Sequence, residues 1–298
     1  MNNVQKIVKE ICDELDIKFT LVSKNWIMVL EKNEKIKYVV GFKFPLNDQA
    51  SSRICDDKYA LYEVMKTFEI PVAEHFIIHK NYKEENIINI CNKYNNDVVI
   101  KSNLGTCGND VYHKKDIEEI LSVIDELLIE NYSISLCPYY DIKTEYRSIV
   151  LNDNVELVYG KRKPIVIGNG EHTIYELLLE FNKTYFENVS CTEELNRVLE
   201  IGEEYEYSWK FNLSKGAMPF LLEDKSKEQI IRNMALRVAK ILGIKFASVD
   251  IIELYDGSLL VLEANSGVMM SNFSVNLNNG KDIAKGIYKK VIEEMFKE

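Results

Sequence analysis

The stretch FASVDIIELYDGSLLVLEAN, residues 246–265, carries two apolar runs on either side of Asp256-Gly257. An Asp-Gly pair between β-rich runs predicts a hairpin closed by a two-residue type I′ turn. Such a turn sets Tyr255 opposite Ser258, and counting outward sets Glu253 against Leu260, Ile251 against Leu262 and Asp250 against Glu263. Directly opposed side chains stand roughly 4.5–5.5 Å apart at Cβ, where like charges repel. Among Ile, Val and Leu neighbours, two facing carboxylates call for a positive charge between them. Alternation along the strand puts Asn265 on the face of Glu263, so three oxygen-bearing side chains converge. Hard oxygen donors of this kind suit Mg²⁺. The plain alternative is a sheet edge with one carboxylate solvated, and a β-bulge would shift the count by one.

Upstream, the β-branched run Asp97–Lys101 leads into Leu104-Gly-Thr-Cys-Gly108. A lysine at a strand end beside Gly105 and Gly108 can touch phosphate while the glycines bring backbone N–H groups close. The Gly-x-x-Gly spacing is not a Walker A loop and is weak by itself, and Lys101 and Lys58 both have an ordinary solvated reading. Cys107 has no histidine closer in sequence than His113, and the chain has only four, which argues against a cysteine nucleophile. His172, Thr173 and Glu176 read as the start of a helix.

Further out, residues 4–15 predict a helix and residues 26–42 a hairpin. A helix is expected over 56–68, a strand over 73–79, helices over 84–94 and 117–128, and strands over 133–137 and 146–151. Residues 168 to about 206 read as an inserted helical segment, and Ser226 with Gln229 predicts the cap of a helix that stops at Gly243. The fold class expected is α+β.

Lysine and arginine total 37 against 47 acidic residues, a net charge of −10, so no basic stripe for nucleic acid or an anionic membrane is expected. Six cysteines without a Cys-x-x-Cys pair, no secretory apolar run and no membrane-length apolar stretch predict a soluble, cytoplasmic protein with reduced thiols.

Taken in order, Asp56-Asp57-Lys58, VVIKSNLGTCGNDVY around Lys101, SLCPYY, Glu145-Tyr-Arg147, Arg162, WKFNLSKGA and the Asp250/Glu263/Asn265 hairpin resemble the ATP-grasp superfamily. The resemblance runs from about Arg53 to Asn272 and is closest to ribosomal protein S6 glutamate ligases, glutathione synthetases and cyanophycin synthetases, the last through Gly168-Asn-Gly-Glu-His-Thr-Ile. It implies two α/β lobes gripping ATP, with a short region 1–52, an ATP-grasp domain 53–298, a lid lobe of about 72–135 and a large lobe of about 136–298. By the same resemblance, Lys58, Lys101, Gly105 and Gly108 hold phosphates, Leu136, Cys137 and Pro138 form the adenine hinge, and Glu145 lies near the ribose. Asp250, Glu263 and Asn265 match ligands of Mg²⁺, or of Mn²⁺ in its place. Arg147 and Arg162 match basic positions at the reacting phosphate and carboxylate, and Lys210, Phe211 and Asn212 match a segment that closes on nucleotide and substrate.

The implied activity is carboxylate-amine ligation through an acyl phosphate, on small amino-acid or peptide substrates. A nucleotide-binding module without turnover and a kinase-like enzyme stand as alternatives. The family's larger N-terminal domain is missing ahead of the motifs, a gap that a homo-oligomeric partner would fill, and Leu104, Cys107 and Ser266-Gly-Val-Met-Met depart from the usual pattern.

Overall fold

The computed structural model describes residues 1–105, 110–181 and 193–297. Gly108 and Cys107, named above for the phosphate loop, lie outside these, as do residues 182–192 of the inserted segment.

Helix α1 (Asn3–Glu14) starts with a capping box in which the Asn2 side chain accepts from the Gln5 N–H and Gln5 reaches back to the Asn2 N–H. Three antiparallel strands follow, β1 (Lys18–Val22), β2 (Ile27–Lys32) and β3 (Lys35–Val40), where only the last two were expected. The helix read over 56–68 is two helices, α2 (Gln49–Asp56) and α3 (Lys58–Thr67). Asp57 is the N-cap of α3 and breaks the run, because its carboxylate accepts from the Ala60 N–H instead of letting the helix continue.

Strands β4 (Phe76–His79), β5 (Val98–Ser102), β6 (Val111–Lys114) and β7 (Ser133–Pro138) form an antiparallel sheet in the order β4-β7-β5-β6. Helices α4 (Glu84–Lys93) and α5 (Ile117–Glu130) cover one face around Ile100, Ile124 and Leu136. The spacing of Asp116 and Glu119 predicts a capping box at the start of α5, and Asp116 does cap the helix, accepting from the Glu118 and Glu119 N–H groups. Beyond the hinge, β8 (Ile142–Leu151), β9 (Asn154–Arg162), β12 (Met218–Leu221), β13 (Phe246–Leu254) and β14 (Leu259–Asn265) build a second antiparallel sheet, ordered β12-β9-β8-β13-β14. Strands β10 (Ile165–Ile167) and β11 (Glu204–Glu206) pair beside α6 (Ile174–Phe181) over a small core of their own.

Alternation divides the large sheet between two cores. Tyr146, Val158, Val249 and Ile251 point to α7 (Lys225–Leu242), which Asp224 caps in place of Ser226, its carboxylate accepting from two N–H groups. Ile149, Leu157, Tyr159 and Phe246 point the other way, to a core shared by α1, β2 and the C-terminal α8 (Ser271–Asn276) and α9 (Gly280–Met295). Residues from the first fifty and the last thirty positions thus cover the lower part of one sheet face and leave its upper part to polar side chains.

The decisive hairpin differs from its expected form in two compensating ways. Its turn has three residues: Gly257 donates to the Leu254 carbonyl, Leu254 donates to the Ser258 carbonyl, and Gly257 takes the left-handed φ of 86°. The Asp256 carboxylate, accepting from the Ser258 N–H and hydroxyl, favours this turn over type I′. Tyr255 is therefore not opposite Ser258, Glu253 faces Leu259, and Ile251 faces Val261. A bulge between Asp250 and Ile251 then takes up Leu262 and restores the count, so Asp250 does face Glu263.

Cys12, Cys55, Cys91 and Cys137 are buried and free. Burial pushes the thiols of Cys12 and Cys55 up to about 12, and raises those of Cys91 and Cys137. Native protein treated with iodoacetamide at pH 8 is expected to leave all four unmodified, whereas urea-unfolded protein is labelled at each; peptide mass spectrometry reads the difference.

Candidate functional site

Two neighbouring rows of the large sheet carry the charged side chains. Tyr159, Arg147, Asp250 and Glu263 are paired in sequence across β9, β8, β13 and β14, and Lys161 pairs with Glu145 one row nearer the hinge. The expected group Asp250, Glu263 and Asn265 is brought together here, with Asn265 Nδ2 3.5 Å from Asp250 Oδ2.

Asp250 is held from both sides. Arg147 donates through Nε to Oδ1 at 2.7 Å and through Nη2 to Oδ2 at 2.6 Å, and Lys161 Nζ stands 3.1 Å from Oδ1. Burial would raise the Asp250 pKa, but the two cations outweigh it and hold the carboxyl down at about 2. Lys161 also bonds Glu145, whose carboxyl is raised by burial and by Asp250 against the pull of Lys161. Glu145, expected near a ribose, is thus a buried member of this cluster.

Helix α3 and strand β5 bring a second pair of cations. Lys101, 6% exposed at the end of β5, lies 3.5 Å from Glu263 Oε1, and Lys58, 9% exposed, lies 3.9 Å from the same oxygen. Lys58 Nζ donates to the Gly105 carbonyl at 2.6 Å, which ties it to the start of the glycine loop. Burial, and then the nearby Lys101 against the attraction of Glu263, lowers its pKa. The N-terminus of α3 is bolted to the end of β5 by Asn103, which donates to Asp57 at 2.9 Å and accepts from the Tyr59 N–H at 3.1 Å. No side chain fits at Gly105, where a Cβ would come 2.9 Å from that of Ser102. Cys55, Asp56, Lys58, Leu61, Gly105, Glu263 and Asn265 line a small cavity between α2, α3 and β14.

At the hinge, the pairing of β4 with β7 stops at Leu136, opposite Phe76. The backbone at Cys137 and Pro138 continues beside β5 with, among the described residues, no strand on its β4 side, and the Tyr139 N–H donates to the Asp97 carbonyl. His75 packs beneath, buried, with Nδ1 2.7 Å from Ser135 Oγ and Nε2 unpartnered. Burial, Lys101 and Lys58 hold it well below the usual histidine range, so it is neutral.

One expected residue is turned away. Arg162 is the neighbour of Lys161 on β9, so alternation turns it to the other face, exposed, with its guanidinium 4.9 Å from the Phe220 ring centre. Asn212 caps a single 3-10 turn by accepting from the Ser214 N–H and hydroxyl. Phe211 is buried, and burial, then Lys215, lowers the pKa of the half-buried Lys210 against the pull of Asp110. Lys161, Tyr159, Asn103 and His75 were not singled out from sequence. Lys161 had a signal: a strand read over LVYGKR would have placed Tyr159 and Lys161 on one face.

A nucleotide with a divalent cation fits these residues. Buried ammonium groups from α3 and β5 meet an oxygen-donor set on the large sheet, which is the chemistry that phosphate and Mg²⁺ require. Among the described residues, no group of three or more acidic, histidine or cysteine side chains gathers to hold a metal alone, and no helix is long and apolar enough to cross a membrane.

No protein-family model matches the sequence, and no curated protein does either. Solved structures do. A bifunctional glutathione synthetase from Pasteurella multocida is similar over 97% of this chain and 44% of its own, with a TM-score of 0.58 and 16% identity. A D-alanine–D-alanine ligase from Bacillus anthracis, complexed with ATP, is similar over 84% of this chain and 67% of its own, at 0.56 and 16%. The ATP-grasp ligase PsnB, complexed with a minimal precursor, is similar over 82% and 64%, at 0.50 and 14%. The chain therefore spans less than half the length of the first of these and about two thirds of the other two.

Proposed function

We propose, for a chain that has the ATP-grasp fold, that it is an ATP-dependent carboxylate-amine ligase. It would activate a carboxylate as an acyl phosphate, pass the acyl group to an amine, and release ADP and phosphate. The observation that carries this is the meeting of Lys58 and Lys101 with Asp250, Glu263 and Asn265 across one cleft.

In this reading, Lys58 and Lys101 leave Glu263 for the nucleotide's phosphates, and the glycine loop that starts at Gly105 serves them. The adenine takes the open edge of β7 at Leu136, Cys137 and Pro138, and Glu145 lies on the ribose side of the cluster. Asp250, Glu263 and Asn265 are the groups that would hold Mg²⁺ or Mn²⁺. When bound, the metal supplies positive charge to the phosphate oxygens. A carboxylate approaching the γ-phosphate meets another anion, so the fixed charges of Lys101 and Arg147 stabilise the transfer without a side-chain nucleophile. Lys210, Phe211 and Asn212 close the substrate side, and the exposed Arg162 is left to attract a substrate carboxylate from outside the cluster. Small amino acids or peptides are the substrate class, and the cytoplasm is the place of action.

Purified protein incubated with Mg-ATP and pools of amino acids and dipeptides is expected to release ADP and phosphate together with a new condensed mass. Glu263→Ala is expected to abolish both. Tight ATP binding with no turnover in any pool would sink the ligase in favour of a nucleotide-binding module, and a phosphorylated product without condensation would indicate a kinase-like enzyme.

A further inference from the structure

Lys161 has no part in the nucleotide reading, yet it is 4% exposed and placed between two carboxylates. It is the partner of Glu145 across β8 and β9, and its ammonium reaches Asp250 Oδ1 at 3.1 Å. Arg147 and Asn265 take the rest of the Asp250 carboxylate. Glu263 is faced by Lys58 and Lys101. Four cations, Lys58, Lys101, Arg147 and Lys161, therefore meet three carboxylates, Glu145, Asp250 and Glu263, and each of these carboxylates has a cation against it before anything binds.

A lone divalent cation entering here must displace a buried ammonium and come to rest beside others, in surroundings where charge repulsion is poorly screened. A polyphosphate reverses the balance. It gives Lys58 and Lys101 a new partner, frees Glu263, and brings several oxygens of its own. Glu145 matters in the same exchange, because it keeps a carboxylate on Lys161 when Asp250 turns to a metal.

We infer that Lys161 is a built-in counter-cation that closes Asp250 to a lone divalent metal, so that metal enters this cleft only with a nucleotide's phosphates. This rests on the nucleotide function proposed above. Lys161 is a positioning residue in this role, since it acts through Asp250 and Glu145 and not on the substrate.

The test uses Mn²⁺ alone as the probe, with free Mn²⁺ read by electron paramagnetic resonance in the absence of nucleotide. The wild-type protein is expected to bind Mn²⁺ weakly, Lys161→Met at least tenfold more tightly, and Lys161→Arg, which keeps the charge, no more tightly than wild type. Micromolar binding by wild type, or no gain in Lys161→Met, overturns the proposal. Circular dichroism checks the fold of each variant, and Lys161→Gln replaces Lys161→Met should the latter unfold. Micromolar Mn²⁺ binding by the wild type overturns the proposal whether or not the variants fold. Calorimetry with ATP separates the two proposals: a wild-type protein that binds no nucleotide removes the ligase reading, while the Mn²⁺ comparison among variants stands by itself.

Discussion

Lys101→Met is expected to lower ATP turnover roughly a hundred- to a thousandfold, the range seen when one preorganised charge is removed from a transition state. The reason lies in its place. Lys101 stands near the end of the buried strand β5, and its ammonium is 3.5 Å from Glu263 Oε1, closer than that of Lys58 at 3.9 Å. Methionine keeps the length and the apolar stem but deletes the charge that is to meet phosphate. Lys58 remains, though its ammonium is partly committed to the Gly105 carbonyl. The loss is therefore expected in kcat as well as in ATP affinity, since the ammonium stabilises charge that develops during transfer. Initial rates of ADP release at saturating substrate measure it. A change of less than threefold would remove Lys101 from the phosphate site.

How far the site could be read from sequence depended on parity more than on distance. Asp250 against Glu263 came out as counted because a three-residue turn and a bulge at Leu262 cancel, and a slip uncorrected by the bulge would have sent one carboxylate to the α7 side. Parity also separated Arg162 from Lys161. Adjacent on β9, they face opposite sides of the sheet, and without β9 read as a strand nothing in the sequence distinguishes their roles. The shared core of α1, β2 and α9 was not legible, because the packing of Val8 and Met28 with Tyr288 and Val291 joins residues more than 250 positions apart. Strand β6, four residues long, is too short for alternation to show. Motifs whose geometry is local, such as the Asp116 cap and the end of α7 at Gly243, were legible because their hydrogen bonds are made within a few residues.

Asp250→Ala is expected to destabilise the fold by about 3 kcal/mol, because it strands Arg147 and Lys161 beside a single remaining carboxylate, Glu145. Combining it with Lys161→Met leaves Arg147 against Glu145 and restores the charge balance. The double variant is therefore expected to be less destabilised than the two single changes added together, with a coupling of about 1–3 kcal/mol in equilibrium urea unfolding. Strict additivity would show that Lys161 and Asp250 do not act on one another, contrary to their 3.1 Å separation. Activity is expected to part company with stability at this point. The double variant recovers its fold but not its turnover, since no neutral neighbour replaces an oxygen ligand at position 250. A purely structural ion pair would behave otherwise: relieving the buried charge would return both together, and a double variant with ligase activity near that of wild type would mean that Asp250 serves the fold and not the chemistry.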